Sequence, residues 1–260
     1  MASTVTAHGQ RLSYVDHGGS GPVVVLLHSF LMDGGMFAPQ VDALGTRFRR
    51  ITVDTRGHGD TPAEAPFDYW DVARDVLDLL DELGIERFAA LGCSQGGFVA
   101  LRLALLAPER VSALVVLGSS AAVENPDIGA AYRQLAANWV KEGPTDPIVD
   151  MVAAICLGSM PAEEWKAKWR ARPVDTVEVL IGALVERASV LERLREIDAP
   201  ALVLHGSADL AYPVDRGREL AEGLPNAAPL VVVEGGAHFL SLTDAAEVNT
   251  HLLPFLLANV

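Results

Sequence analysis

The chain has 260 residues, half of them hydrophobic, enough for one large domain with a sizeable buried interior or for a core carrying an insertion. Its formal charge is −14, from 34 acidic against 20 basic residues, and no Lys/Arg cluster outweighs that field, so neither nucleic acid nor an anionic membrane is an expected partner. Two cysteines, Cys93 and Cys156, are too few for a disulfide framework and read as free thiols; the N-terminus lacks the basic start and apolar core of a secretory signal, and a cytoplasmic protein is expected.

Along the chain, Ser3 to His8 and Arg11 to Asp16 are β-like runs joined at Gly9-Gln10, which predicts an antiparallel hairpin at a sheet edge. Val23 to Leu27 is a continuous apolar run of the kind a strand shows when helices cover both its faces, and the pattern returns at Ala113 to Leu117, Ala201 to Leu204 and Leu230 to Val233. A shorter run at Arg87 to Leu91 reads as a further strand. Between strands lie helical patterns. Val72, Val76, Leu79, Leu80 and Leu83 share one stripe; Asp71, Asp75, Asp78, Asp81 and Glu82 lie largely outside it as a solvated face, and Gly84 supplies a stop. The run from Phe98 to Ala107 is apolar almost all round, with Arg102 its one charge, which predicts a buried central helix too short to span a bilayer. Alternating strands and helices imply a mostly parallel, three-layered α/β core.

From about Ala122 to Arg195 the strand-like runs stop, and helical stretches are punctuated by Asn125-Pro126, Gly143-Pro144, Asp146-Pro147, Met160-Pro161 and Arg172-Pro173. The expected organisation is a core of residues 1–121 and 196–260 interrupted by a helical subdomain, 122–195. The insert holds Trp139, Trp165 and Trp169, three of the four tryptophans, near Met151, Met160 and Cys156. These residues either line an apolar pocket or form the small core that the insert needs for itself.

The chemistry centres on Leu91 to Phe98, where Gly92 and Gly96 flank Ser94 at the turn from a strand into a helix. Gly-x-Ser-x-Gly also arises by chance in ordinary Gly-rich loops, so the rest of the chain decides its meaning. A serine hydroxyl needs a base within reach and a carboxylate to orient that base. Asp209 follows the strand at Ala201 to His205, and His238 follows the next strand in Gly235-Gly236-Ala237-His238. In a parallel sheet the carboxyl ends of the strands share one edge, so the three loops can converge. Taken singly, Asp209 could merely start the helix near Pro213, and His238 could cap a helix or face solvent. Leu27-His28-Ser29-Phe30 ends the first core strand at the same edge, and the backbone N–H groups of Phe30 and Gln95 are the expected oxyanion hole. The histidines are His8, His17, His28, His58, His205, His238 and His251, none spaced with a second ligand as a metal site requires; no metal and no cofactor is expected. His205 reads as a packed strand residue, and His251, on the final helix, as solvated.

Together these motifs, with Asp54-Thr55-Arg56-Gly57-His58-Gly59 and Gly206 to Pro213, resemble the α/β-hydrolase family over essentially the whole chain. The resemblance implies that Asp54 to Gly59 is a structural loop, that His58 is not the catalytic base, and that residues 122–195 are a cap over the pocket. Serine at position 94 argues against members with an aspartate or cysteine nucleophile, and Cys93 occupies a variable position facing away from the pocket. Family members commonly carry glycine where this chain has Ser29, as some that look like 3-oxoadipate enol-lactonases do not. Ser29, His28, Trp139, Trp165 and Met160 are the expected substrate-binding residues.

The expected activity is that of a cofactor-independent serine esterase or lactonase with Ser94, Asp209 and His238 as catalytic triad, its partner a small-molecule ester or lactone, with homodimerisation left open. The same triad also suits carbon–carbon bond hydrolysis, perhydrolysis and acyl transfer, and the same fold serves ligand-sensing receptors.

Overall fold

Eight strands are found among the residues that the computed structural model describes, 2–7, 9–63 and 65–260. They are β1 (Ser3–Ala7), β2 (Gln10–Asp16), β3 (Val23–Leu27), β4 (Arg49–Asp54), β5 (Phe88–Cys93), β6 (Val111–Leu117), β7 (Ala201–Gly206) and β8 (Val231–Val233). Side by side they form one sheet in the order β1-β2-β4-β3-β5-β6-β7-β8. The hairpin β1–β2 is antiparallel and sits at the edge; every pairing from β4 to β8 is parallel. His8, placed in that hairpin from sequence, lies outside the described residues.

Continuous apolar runs make the inner strands because both faces are covered. Along β3, Val24 and Leu26 join one core while Val25 and Leu27 join the other, and β5, β6 and β7 alternate in the same way. Helices α1 (Ala38–Leu44) and α10 (Ala245–Asn259) cover the first face. The second is covered by α2 (Tyr69–Glu82), α3 (Gln95–Leu106) and α8 (Val214–Gly223). Nearly all of α3 is buried, as its sequence predicts; Arg102 is buried with it, donating to the carbonyls of Phe98 and Ala188. The acidic side of α2 is less solvated than its pattern suggests, because Asp75 is buried and takes two hydrogen bonds from Arg56, at 2.6 and 2.8 Å.

The chain runs from β3 out to β4, then returns across β3 to β5, so β3 and β5 are neighbours whose connections leave in opposite directions. At such a switch point the loops at the carboxyl ends part and leave a crevice. Above it, between β6 and β7, lie α4 (Pro126–Glu142), α5 (Asp146–Leu157), α6 (Glu163–Ala171) and α7 (Thr176–Val185). Two of these begin on a proline within the first turn, which suits a position whose N–H would be unpaired in any case. A short helix, α9 (Leu240–Thr243), precedes α10. Among the described residues no helix is long and apolar enough to cross a membrane.

Candidate active site

Ser94 stands between β5 and α3 with φ 51° and ψ −115°, a conformation that L-residues rarely adopt. The turn is tight enough that a Cβ at Gly92 would fall 2.1 Å from the Gly96 carbonyl oxygen. One at Gly96 would fall 1.8 Å from that of Leu27. Glycine is thus required on both sides of the serine by close backbone approach. The Ser94 carbonyl accepts from Ser119 Oγ at 2.7 Å and its N–H donates to the Leu117 carbonyl at 2.8 Å, so the end of β6 and the loop after it hold the strained residue in place.

The three side chains named from sequence meet at this point. Ser94 Oγ lies 2.8 Å from His238 Nε2, and His238 Nδ1 lies 2.7 Å from Asp209 Oδ2. Asp209 projects from the loop after β7 and His238 from the loop between β8 and α9. Asp209 also organises its own loop, accepting at Oδ1 from the N–H groups of Ala211 (2.8 Å) and Tyr212 (2.9 Å). Burial works against its charge, but His238, the hydrogen bond from His205 and the Tyr212 N–H prevail and hold the carboxyl well below the usual range. An ionised Asp209 fixes the proton of His238 on Nδ1 and leaves Nε2 free to accept from Ser94.

Phe30 and Gln95 sit where two N–H donors could face one oxygen. Gln95 is the first residue of α3, so its N–H has no partner within the helix, and the Phe30 N–H donates to no other group among the described residues. Beneath them the Gln95 side chain joins a buried network, accepting from Tyr69 OH (3.2 Å) and approaching Thr55 and His58. The rings of His28 and His58 lie 4.7 Å apart in the same network. His28 Nε2 accepts from the Thr55 N–H at 2.9 Å, and His58 Nε2 accepts from the Leu31 N–H at 3.1 Å.

Ser94 and His238 open onto a small cavity of about 40 Å³ lined by Phe30, Leu135, Val152, Ile155, Leu184 and Phe239, with Tyr132, Cys156, Ala211 and Tyr212 completing it. Among the described residues no Lys, Arg, Asp or Glu lines it. None of the five residues expected to bind substrate is there either. Ser29 is buried and donates to the Cys93 carbonyl at 3.1 Å, and His28 is buried between Ser29 and Thr55. Trp139 packs wholly inside the hydrophobic core, and Trp165 lies under the Lys168 ammonium, 4.2 Å from its ring centroid. Met160 packs against the core from its edge. Trp139 and Trp165 join the buried cluster that also holds Val24 and Leu26 of β3 and Leu91 of β5. Tyr132, Leu135, Val152 and Ile155 were missed; the only signal for them was their helical periodicity in α4 and α5. Cys93 is buried and is not among the residues that line the cavity. A larger surface groove, lined by residues of β2, the β3–β4 connection, the loop after β4 and the α6–α7 connection, contains none of Ser94, Asp209 and His238.

Comparison with known proteins agrees with this fold. A family model described as the alpha/beta hydrolase fold matches residues 22–245. The chain is 30% identical over 250 residues to a provisionally named carbamate hydrolase, RutD, of Agrobacterium fabrum, covering 91% of this chain and 93% of that protein. It is 30% identical over 213 residues to 3-oxoadipate enol-lactonase 1 of Acinetobacter baylyi, covering 76% and 75%. Among solved structures, the enol-lactonase from Burkholderia xenovorans LB400 superposes with a TM-score of 0.89 at 27% identity, covering 98% of this chain and 99% of that one.

Proposed function

The chain belongs to the α/β-hydrolase fold family and is an enzyme of that family, and on that premise we propose that it is a cofactor-independent serine hydrolase of uncharged carboxylic esters or lactones with a compact apolar acyl part. The observation that carries this reading is the unbroken line from Ser94 Oγ through His238 to Asp209, opening onto a cavity that, among the described residues, no Lys, Arg, Asp or Glu lines. Ser94 Oγ attacks the carbonyl carbon while His238 Nε2 takes its proton. The oxyanion forms against the N–H groups of Phe30 and Gln95, each worth about 10²- to 10³-fold in rate when it fits. His238 then protonates the leaving alcohol, and water activated by the same nitrogen releases the acyl group from Ser94. In this reading α4, α5 and α7 act as a cap, since Tyr132, Leu135, Val152, Ile155 and Leu184 supply one wall of the cavity.

A substrate bearing a carboxylate would need a cation in that wall. Three arginines of the insert are engaged in ion pairs elsewhere, Arg133 with Glu186, Arg170 with Asp146 and Arg187 with Glu124; Arg172 donates to the Gly57 and Leu31 carbonyls, and Arg193 pairs with Glu196. This speaks against carbon–carbon hydrolysis of a carboxylate-bearing diketone. A carbamate is open to the same attack, but its nitrogen makes the carbonyl less electrophilic, so it is the slower substrate in this reading.

The test is turnover of purified protein on p-nitrophenyl esters of graded acyl length, neutral lactones, a p-nitrophenyl carbamate and an ester with a free carboxylate on its acyl chain. Short neutral esters or lactones should be fastest, Ser94→Ala inactive and Cys93→Ser close to native. Turnover surviving in Ser94→Ala sinks the mechanism, and a preference for the carboxylate-bearing ester sinks the substrate class. Sustained multiple turnover also separates the enzyme from a ligand-sensing receptor.

A further inference from the structure

Sequence pattern makes His205 a filler of the sheet, the fifth residue of a fully buried strand. The fold gives its ring a second set of neighbours. His205 Nε2 lies 3.0 Å from the Tyr212 carbonyl oxygen and 3.3 Å from Asp209 Oδ2, the same carboxylate oxygen that His238 Nδ1 meets at 2.7 Å. We propose that His205 is a positioning residue of the hydrolytic centre, whose Nε2–H is a second imidazole donor to Asp209 and so limits how strongly that carboxylate stabilises a protonated His238. The inference rests on the Ser94–His238–Asp209 reading above.

Its tautomer follows from the surroundings. A carbonyl oxygen only accepts, so the nitrogen facing Tyr212 carries the proton. Nδ1, at the other side of the ring, is buried and has no hydrogen-bond partner among the described residues. Gly217 of α8 closes over it: a Cβ at that position would stand 2.8 Å from Nδ1. A proton on Nδ1 would therefore go unsatisfied, and the ring's N–H is placed on Nε2, toward Asp209 and Tyr212.

Asp209 then has donors on both oxygens, the N–H groups of Ala211 and Tyr212 at Oδ1 and the two imidazoles at Oδ2. The electron density shared with His205 is not available to His238. Without that donor the protonated form of His238, which cannot accept from Ser94, gains stability, and the acid limb of the rate profile moves up. The other ionisable groups around the pair do not supply such an effect. Tyr132 of α4, Cys156 of α5, Cys93 of β5 and Tyr212 are all pushed up by burial and stay neutral in that range. Beyond Tyr212, Glu124 is matched by Arg187.

The experiment is the pH profile of kcat/KM on a p-nitrophenyl ester for the native enzyme, His205→Leu and His205→Gln, each shown to be folded by thermal unfolding. Leucine removes the donor, and the acid limb should rise by about 0.5 unit, so that activity below it falls about threefold more than activity at pH 9. Glutamine can return an N–H near the position of Nε2 and should keep the native limb. A folded His205→Leu enzyme with the native limb overturns the inference, since a merely structural role would lower stability without moving the profile. If leucine prevents folding, nitrogen-15 NMR of the native imidazoles decides: a proton on Nε2 of His205 is expected, and one on Nδ1 overturns the inference. Ser94→Ala, run alongside, separates the two outcomes, because only its residual turnover would remove the reading on which His205 depends.

Discussion

The indole N–H of Trp169, in α6 of the insert, donates to the Leu31 carbonyl oxygen at 3.0 Å, one residue past Phe30. Arg172 reaches the same oxygen at 3.3 Å, and from below the Leu31 N–H donates to His58 Nε2 at 3.1 Å. Leu31 has φ 60°, unusual for a side chain that bulky, so the peptide beside the expected oxyanion donor is held in a strained shape by the insert and the core together.

Trp169→Phe removes one of those bonds while keeping a large aromatic ring in the core. A net hydrogen bond is worth about 1 kcal/mol, so kcat should fall about fivefold with KM little changed. Steady-state kinetics on a p-nitrophenyl ester check this. A change confined to KM would show that Trp169 shapes binding and not the oxyanion donor.

Acid sensitivity should come from the His28–His58 pair. Burial lowers both, with His28 also pressing on His58, so the folded state holds these rings neutral where the unfolded chain would protonate them. With folded values below the unfolded one near 6.5, their stabilisation is complete above that pH and is lost as pH falls, by about 1.4 kcal/mol per unit for each ring inside its window. Asp209, held low, adds a loss only at pH values below the ordinary carboxylate range. Urea unfolding at pH 7, 6 and 5 should show the decline, and His58→Gln should flatten it. An equal decline in His58→Gln would assign it to other groups.

Neither thiol should react readily in the folded protein. Burial pushes Cys93 up to about 11 and drives Cys156 up as well, and the thiolate is the reactive form. Iodoacetamide at pH 7.5 should leave ester hydrolysis unchanged over an hour and should label both cysteines once urea is added. Rapid inactivation traced to Cys156, which lines the cavity, would show that the insert opens often.

The reach of sequence reasoning differed from one residue to another for physical reasons. Ser94, Asp209 and His238 stand at strand ends, where topology alone brings loops to one edge, and apolar runs reveal those strands. The positions that line the cavity belong to helices whose apolar faces read alike whether they cover a core or a pocket. Trp139 and Trp165 went to the first and Leu135 and Val152 to the second, and only the helix crossings decide which. Asp75 was hidden for another reason: its partner Arg56 is 19 residues away, outside the helix that made it look solvated. Likewise His205 shows its strand but not its ring's neighbours.

The most costly single change outside the centre should be at Arg187. Its guanidinium meets Glu124 Oε2 at 2.9 Å with both side chains almost wholly buried, and it lies 4.4 Å from the centroid of the Phe98 ring. Glu124 comes before α4 and Arg187 after α7, so the pair ties together the two ends of the helical stretch from α4 to α7. Tyr212 OH donates to the same Glu124 oxygen at 2.8 Å, and the Tyr212 N–H is one of the two backbone donors on Asp209 Oδ1. Arg187→Met leaves a buried carboxylate without its cation and should cost about 3–5 kcal/mol. Glu124→Gln with Arg187→Met removes both charges and should regain part of that loss. Activity should not recover in step, because the glutamine amide is a weaker acceptor for Tyr212 OH and the loop carrying Asp209 stays looser. Urea unfolding and kcat of the two single variants and the double variant test this as a cycle. Additive stabilities would show that the pair acts as two independent side chains, and full recovery of kcat in the double variant would free Tyr212 from any part in holding Asp209.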